Sequence, residues 1–179
     1  AVYDTEAKEL TLVRDRAGEK PLYWTDRGDH FAFASELRPL IRSDAGGSPD
    51  IQRSSLALYA LYRYVPAPRS IIAGINKLPA GHLMVVKADG EHQIRRWWSW
   101  ELEPAVAASP QGFREVCDEV EAALRESVRR RLISDVGLGL FLSGGIDSGL
   151  TAALAGALGP TPKTFSIGFE GKDSEHEQA

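Results

Sequence analysis

The chain has 179 residues, of which 43% are hydrophobic and 26% are charged, and its formal net charge is −4. This balance is typical of a globular protein, and the mild acidity without a basic patch argues against nucleic acid as a partner. Neither a membrane-spanning apolar run nor a signal peptide is recognisable, so the sequence predicts a cytoplasmic protein with no membrane partner.

The first hundred residues alternate short apolar stretches with turns, which is typical of antiparallel strands. A hairpin turn is expected at Asp89-Gly90, where two such stretches meet. Helices are expected over residues 35–41 and 51–64, and the tyrosines of the second helix are expected to pack in the core. The predicted strands cover residues 2–3, 10–13, 22–24, 30–34, 83–86 and 92–97.

Three tryptophans, Trp97, Trp98 and Trp100, form an aromatic cluster at the end of this region. Such rings could offer a stacking platform for nucleic-acid bases. The acidic residues Glu101 and Glu103 follow them and no lysine accompanies them, so packing in a core or an interface is the favoured interpretation.

A change in composition predicts a boundary between two domains. Residues 104–112 are rich in Pro, Ala and Ser, which is typical of a linker. We therefore expect the last part of one domain over residues 1–104, a linker over 105–112, and the first part of a second domain over 113–179.

The second domain is predicted to begin with a long amphipathic helix over residues 113–133. Cys117 is the single cysteine, so an internal disulfide is excluded. It lies in the apolar stripe of this helix and is interpreted as a core residue. The arginines near the end of the helix could bind an anion, but a solvated helix end is the favoured interpretation.

The stretch from residue 136 to residue 158 carries the strongest functional signal. Its apolar start predicts a buried strand, and leucines at four-residue intervals from Leu150 to Leu158 predict a helix. Between them lies the segment SGGIDS, residues 143–148. The turn therefore lies at the carboxyl end of a strand, where ligands bind in parallel α/β sheets.

The residue types in this turn suit the oxygens of a phosphate. Gly144 and Gly145 let the backbone bend sharply, and the start of the following helix adds N–H donors and partial positive charge. Ser143 and Ser148 add hydroxyl groups. Asp147 would repel a bare phosphate, so its presence suggests a bridging Mg²⁺. The Walker A pattern is absent, and a glycine-rich turn without a ligand is the alternative interpretation.

A second strand, parallel to the first, is predicted over residues 163–169 after the helical crossover. Its carboxyl end should lie beside the glycine turn, which would place Ile167 next to an adenine or a ribose. Plain packing within the sheet is the alternative for this residue.

The SGGIDS segment resembles the pyrophosphate loop of the ATP pyrophosphatases, enzymes that activate a substrate with ATP and release pyrophosphate. Essentially the whole chain resembles one family, the class B asparagine synthetases and related amidotransferases. The segments that carry this resemblance are LVRDRAGEKPLYW (12–24), FAFASELRPLI (31–41), KLPAGH (77–82) and SDVGLGLFLSGGIDSG (134–149).

The resemblance implies a fold that is α+β in its first part and α/β in its second. The first is the C-terminal part of an N-terminal-nucleophile αββα glutaminase domain, and the second begins a parallel-sheet ATP-pyrophosphatase (adenine nucleotide α-hydrolase-like) domain. In this family glutamine supplies ammonia through an internal tunnel, and ATP with Mg²⁺ adenylates the aspartate side chain. Ammonia then attacks β-aspartyl-AMP to give asparagine. The implied partners are these small molecules and, in the full-length protein, a second copy in a homodimer.

The resemblance also assigns residues to an ATP site. Asp147 is implied as the residue that meets Mg²⁺, and Ile167 as a second adenine contact. The implied ATP-binding residues are Phe141, Leu142, Ser143, Gly144, Gly145, Asp147, Ser148 and Ile167.

The chain also departs from the family pattern. The family's N-terminal cysteine nucleophile and its later SGEGSDE-type loop have no counterpart here, so we expect an internal fragment that catalyses neither half-reaction by itself. Gly137 and Gly149 stand where the family usually has Pro and Ser. Two other interpretations stay open: a β-lactam-synthetase-like adenylating enzyme and a non-catalytic nucleotide-binding fragment.

Overall fold

The computed structural model describes residues 1–43, 50–101, 110–159 and 161–168. The chain divides into two compact units, Ala1–Glu103 and Pro104–Ala179, which we describe separately. Strands dominate the first unit and helices dominate the second. The mixed α and β character predicted from the sequence is therefore confirmed.

The first unit contains short antiparallel strands and two helices. Its elements are β1 (Val2–Asp4), β2 (Glu9–Val13), β3 (Tyr23–Asp26), β4 (Phe31–Ala34), α1 (Leu37–Arg42), α2 (Arg53–Tyr62), β5 (Asn76–Lys77), β6 (His82–Lys87) and β7 (His92–Arg96). Each strand predicted from alternating residues is present, with bounds that shift by one or two residues.

These strands form two antiparallel sheets that share a hydrophobic core. One sheet has the order β1-β2-β6-β7 and the other has the order β4-β3-β5. Leu12 of β2 pairs with Met84 of β6, and both are fully buried. Trp24 of β3 packs in the same cluster, so the core joins residues of both sheets. A second cluster of Leu40, Ile72 and Ile75 lies beneath α1.

The helix α2 differs from its prediction in the face that it buries. It begins after Gln52 and ends at Tyr62, because the left-handed backbone of the next residue, Arg63 (φ 63°), stops it before the predicted end. Ser55 is its buried residue, whereas Tyr59 is 50% exposed and Tyr64, beyond the helix, is 60% exposed. The predicted core packing of these tyrosines is wrong within the described residues, because the helix turns its small Ser55 side inward.

The tryptophans after β7 do not pack in a core within the described residues, while the alternative of packing in an interface stays a prediction. Trp98 is half-buried and meets Trp100 edge to face at 4.7 Å between ring centroids. Trp100 itself is 73% exposed. The guanidinium of Arg16 lies 5.9 Å from the centre of the Trp98 ring. The cluster is therefore a surface feature of the first unit, because the chain leaves the sheet at Arg96.

The loop after β2, residues 14–20, is held by its own charged side chains. Arg14 donates three hydrogen bonds to backbone carbonyls, at 3.0 Å to Lys20, 2.7 Å to Leu78 and 3.0 Å to Gly18. The Asp15 carboxylate accepts hydrogen bonds from the N–H groups of Glu19 (2.8 Å) and Lys20 (3.1 Å). Burial alone would raise the pKa of Asp15, but these N–H groups outweigh it and the pKa is lowered.

The second unit places two helices around a small parallel sheet. Strand β8 pairs with β9 in parallel, with Phe141 opposite Phe165, which confirms the predicted parallel arrangement. Both strands are shorter than predicted, and Phe169 lies outside the described residues. Buried residues of this unit, among those described, are Leu154 and Ala155 on α4. Its elements are α3 (Pro110–Arg131), β8 (Gly139–Phe141), α4 (Ile146–Leu158) and β9 (Lys163–Phe165).

Helix α3 begins at Pro110, three residues before its predicted start, and most of the predicted linker lies outside the described residues. Cys117 is exposed, so its interpretation as a core residue is wrong within the described part of the chain. The first part of the apolar stripe on which it lies is likewise exposed there, with Phe113 at 64% and Val120 at 51%, whereas Val128 and Leu132 near its end are half-buried.

The arginines near the end of α3 are engaged by glutamates of the same helix. Arg125 pairs with Glu121 at 3.0 Å, and Arg129 and Arg130 both pair with Glu126, at 2.6 and 2.7 Å. This arrangement fits the solvated, dipole-complementing helix end favoured from the sequence. In the described parts of the chain, every helix is too short or too polar to span a membrane.

Candidate nucleotide-binding site

The candidate site lies where β8 ends and α4 begins. The backbone pairing of the two parallel strands continues one residue past β8, because the N–H of Leu142 donates to the carbonyl of Phe165 at 2.9 Å. Residues 143–148 then form the turn and the first residues of α4, and we call them the 143–148 loop. Ile167 leaves β9 at the same edge of the sheet, as the sequence predicts.

Glycine gives this loop its shape. Gly144 has φ of 79°, a left-handed conformation that costs other residues about 1–2 kcal/mol. Gly145 has extended backbone and stands at the N-cap position of α4, where no side chain caps the helix. The leading N–H groups of a helix lack partners within it, so an uncapped start offers them to an anion.

Two serines fix the loop from inside. The Ser148 hydroxyl donates to the carbonyl of Gly145 at 3.0 Å and accepts the N–H of Ser143 at 3.3 Å. It also lies 3.1 Å from the Ser143 hydroxyl. The hydroxyl of Ser148 is therefore occupied in shaping the loop, whereas Ser143 presents an exposed hydroxyl at the carboxyl end of the sheet.

Asp147 contributes an exposed carboxylate in the first turn of α4. Within the described residues there is no group of three or more His, Cys, Asp or Glu side chains that could hold a metal ion. A cation here would need further oxygen ligands from elsewhere. Mg²⁺ commonly binds one or two carboxylates and completes its shell with substrate phosphates and water, so a lone Asp147 fits Mg²⁺ carried by a nucleotide.

Apolar side chains flank the loop and are open to solvent. Phe141 is 84% exposed and Ile167 is 79% exposed, while Leu142 is half-buried. Exposed apolar groups beside a turn that suits a phosphate could provide a surface for the flat face of a base. All eight residues predicted for the ATP site thus lie at this edge of the β8–β9 sheet.

Sequence reasoning missed Ser166. Its hydroxyl donates to the carbonyl of Leu142 at 2.7 Å and joins the ends of the two strands. The signal was available, because a serine directly before Ile167 must lie beside the glycine turn if the two strands are parallel and in this register.

A cavity of about 450 Å³ lies at the opposite end of the same strands. Its lining includes Leu138, Gly139, Pro162 and Lys163, and none of the eight predicted residues. It adjoins the amino ends of the strands, whereas the N–H donors and hydroxyls that suit a phosphate lie at the carboxyl ends. The chemistry therefore favours the 143–148 loop as the ligand site.

Comparison with known proteins agrees with the resemblance found in the motifs. The family model described as glutamine amidotransferase domain matches residues 1–98, more than half of the chain. The chain belongs to the glutamine amidotransferase family. A second model, described as asparagine synthase, matches residues 119–179 of this amidotransferase chain and includes every predicted ATP-site residue. The predicted membership of the asparagine synthetase-like amidotransferases is confirmed.

Curated relatives extend the match over both units. Asparagine synthetase (glutamine-hydrolyzing) 1 of Bacillus subtilis is 34% identical over 88% of this amidotransferase chain and 24% of its own length. A putative asparagine synthetase (glutamine-hydrolyzing) of Mycobacterium bovis is 35% identical over 95% of this chain and 26% of its own length. Putative asparagine synthetase (glutamine-hydrolyzing) 2 of Methanocaldococcus jannaschii is 32% identical, with coverages of 97% and 34%. The chain thus spans between a quarter and a third of these relatives.

Proposed function

We propose that the chain is part of an ATP-dependent amidotransferase that forms asparagine from aspartate, glutamine and ATP. The observation that carries this proposal is the uncapped start of α4 behind the Gly144 turn, at the carboxyl end of two parallel strands. The names of the relatives, glutamine-hydrolyzing asparagine synthetases, support the same reaction.

The proposed reaction explains why a phosphate loop is needed. A carboxylate oxygen is a poor leaving group, so a side-chain oxygen of aspartate first attacks the α-phosphorus of ATP and pyrophosphate leaves. Ammonia then attacks the resulting mixed anhydride carbonyl, AMP leaves and the amide forms. During the first step negative charge builds on the departing pyrophosphate. The N–H groups at the start of α4 and the Ser143 hydroxyl are placed to stabilise that charge.

Each flanking residue has a proposed part in binding the nucleotide. Phe141, Leu142 and Ile167 provide the apolar surface for the base. Ser148 holds the loop in shape around the pyrophosphate through its bonds to Ser143 and Gly145. Asp147 is proposed as the protein ligand of Mg²⁺, which when bound supplies positive charge beside the phosphates.

We propose that the first unit belongs to the glutaminase half of the enzyme. Its two antiparallel sheets, which share the Leu12–Trp24–Met84 core, support an αββα sandwich of the N-terminal-nucleophile type. The domain limits remain as proposed from the sequence: residues 1–104, a linker over 105–112, and residues 113–179. In the full-length enzyme this half would release ammonia from glutamine.

The proposal is tested by binding of Mg-ATP to the 179-residue chain, measured by equilibrium dialysis. Gly144→Ala forces a side chain into a left-handed position, and we expect affinity to fall about tenfold. Gly156→Ala is the matched control. It lies in α4 with nothing within 4 Å of the added methyl group. It should leave binding unchanged and raise the free energy of unfolding by about 0.5–1 kcal/mol.

Two results would contradict the proposal. One is the failure of the folded chain to bind Mg-ATP at millimolar concentration, with folding checked by cooperative urea unfolding. The other is equal affinity in the Gly144→Ala and Gly156→Ala variants, which would place the nucleotide away from the loop.

A further inference from the structure

Serine hydroxyls from two different elements hold the peptide group between Leu142 and Ser143. The carbonyl of Leu142 accepts a hydrogen bond from the Ser166 hydroxyl at 2.7 Å, and Ser166 follows β9. The N–H of Ser143 donates to the Ser148 hydroxyl at 3.3 Å, and Ser148 lies in the first turn of α4. Rotation of this peptide plane would break one of these bonds.

The orientation of this peptide determines how the chain enters the glycine turn. The N–H of Leu142 donates to the carbonyl of Phe165. The carbonyl of Leu142 is then the last backbone group before the glycine turn that needs a partner. Gly144, which has φ of 79°, comes two residues later. A change in the 142–143 peptide would therefore move the Ser143 hydroxyl and the start of α4 relative to each other.

We propose that Ser166 is a positioning residue of the nucleotide site. Its hydroxyl fixes the 142–143 peptide, and through it the loop geometry that receives the pyrophosphate group of ATP. This inference rests on the proposed function. Ser166 acts through the Leu142 carbonyl, so it differs from the residues proposed to touch the nucleotide.

The position of Ser166 indicates that it shapes the loop and contributes little to the stability of the whole unit. The residue is exposed and lies beyond the end of β9, whereas the buried residues of this unit, among those described, are Leu154 and Ala155 on α4. Because the Leu142 carbonyl can only accept, the serine must donate, and a side chain without a hydrogen-bond donor cannot replace it. Loss of this bond should change the loop and leave the unit folded.

Three variants test the proposal in the 179-residue chain. Ser166→Ala removes the donor, and Ser166→Thr keeps it in a side chain suited to a strand. Thr164→Val is the matched control, since Thr164 lies two residues earlier on the same strand face and its hydroxyl makes no hydrogen bond within the described part of the chain. Two quantities are measured: the dissociation constant of Mg-ATP, and the amide exchange rate of Ser143 without nucleotide.

Ser166→Ala should weaken Mg-ATP binding about three- to tenfold, the range expected for one lost hydrogen bond, and should speed exchange of the Ser143 amide. Ser166→Thr should stay within about twofold of the original chain on both measures, as should Thr164→Val. Equal affinity and equal exchange in the Ser166→Ala variant and the original chain would overturn the proposal.

The two measurements also separate this inference from the proposed function. If the original chain does not bind Mg-ATP, the proposed function fails, and the Ser143 exchange rates still decide whether Ser166 fixes the loop. Faster exchange that is restored by Ser166→Thr supports the positioning role, whereas unchanged exchange contradicts it.

Discussion

The 14–20 loop and the 143–148 loop look alike in outline but use their polar groups in opposite ways. Each follows a strand and bends at a glycine with positive φ, 71° at Gly18 and 79° at Gly144. In the 14–20 loop the side chains of Arg14 and Asp15 are hydrogen-bonded to backbone groups of the protein. In the 143–148 loop the serines bond among themselves, and the start of α4 has no cap.

This difference shows how a motif's role depends on which groups remain available. The charged RDR segment is the more conspicuous in the sequence, yet its Arg14 and Asp15 bind the protein itself. The less polar SGGIDS segment leaves the N–H donors at the start of α4 for a ligand, and the exposed Ser143 hydroxyl reaches one by turning away from Ser148. Charge alone would therefore select a loop whose Arg14 and Asp15 are already engaged.

Burial reinforces the contrast between the two units. Within the described residues, every buried hydrophobic residue except Leu154 and Ala155 lies in the first unit. Tight packing transmits small changes in volume, so substitutions at the contacts of the 14–20 loop should affect stability strongly. Substitutions in the 143–148 loop should act mainly on binding.

The largest loss of stability is expected from Gly81→Ala. The N–H of Gly81 donates to the Asp15 carbonyl at 2.9 Å, and Gly81 has φ of 65°. An added Cβ would lie 2.6 Å from the Trp98 carbonyl oxygen, a backbone atom that cannot move aside alone. We expect a loss of about 3–4 kcal/mol in the free energy of unfolding, measured by urea titration with tryptophan fluorescence.

Gly90→Ala is the control for Gly81→Ala. Gly90 also has positive φ, 89°, but an added Cβ would meet nothing within 4 Å. It should cost about 1–2 kcal/mol, which is the backbone contribution alone. Equal losses in the two variants would show that the contact between Gly81 and Trp98 does not constrain the first unit.

A smaller loss is expected from Arg14→Lys. A single ammonium group cannot reach the carbonyls of Gly18, Lys20 and Leu78 as the guanidinium does. Allowing for partial exposure, we expect the free energy of unfolding to fall by about 2–3 kcal/mol. Arg16→Lys, which changes only a cation contact with Trp98, should cost less than about 0.5 kcal/mol. Similar values for the two variants would contradict the structural role of Arg14.

The elements that could be predicted from the sequence are those with strong local signals. Alternating residues located the strands of the first unit except the two-residue β5, which was not predicted, and the run from strand through SGGIDS to helix located β8, the loop and α4. Parallel pairing of β8 and β9 followed from the helical crossover between them. These features depend on neighbours in sequence, which a single chain displays directly.

The features that could not be predicted depend on distant partners. The bond from Arg14 to the Leu78 carbonyl joins residues 64 positions apart, and neither residue indicates it alone. Likewise, the inward face of α2 carries Ser55, because burial depends on which side meets the rest of the unit. For Ser166, the place beside the glycine turn could have been predicted from the parallel strands, but its bond to the Leu142 carbonyl could not, because a backbone carbonyl leaves no mark in a pattern of side chains.

The smallest effect on stability is expected when the Glu126 carboxylate of α3 is protonated by acid. Titration of this group also tests whether the arginines of α3 are engaged by Glu126, or are open to an anion like the N–H groups of the 143–148 loop. Hydrogen bonds from Arg129, which has the larger effect, and from Arg130 lower the pKa of Glu126 to about 2, from an ordinary value of 4.5. Because the pKa is lower in the folded chain, the pairing stabilises α3 fully above pH 4.5. That contribution is lost as the pH falls towards 2. The Glu126 carboxylate is exposed, so salt should weaken its pairing with Arg129 and Arg130.

The Glu126 carboxyl carbon can be followed by NMR during the titration. We expect a midpoint well below 4.5 at low salt, and a rise towards the ordinary value in Arg129→Gln and in about 0.5 M NaCl. A control variant, Arg114→Gln, changes an arginine of the same helix outside the pairs with Glu126 and should leave the midpoint in place. An ordinary midpoint in the original chain would mean that Arg129 and Arg130 are unpaired in solution. The end of α3 would then rival the 143–148 loop as a place for an anion.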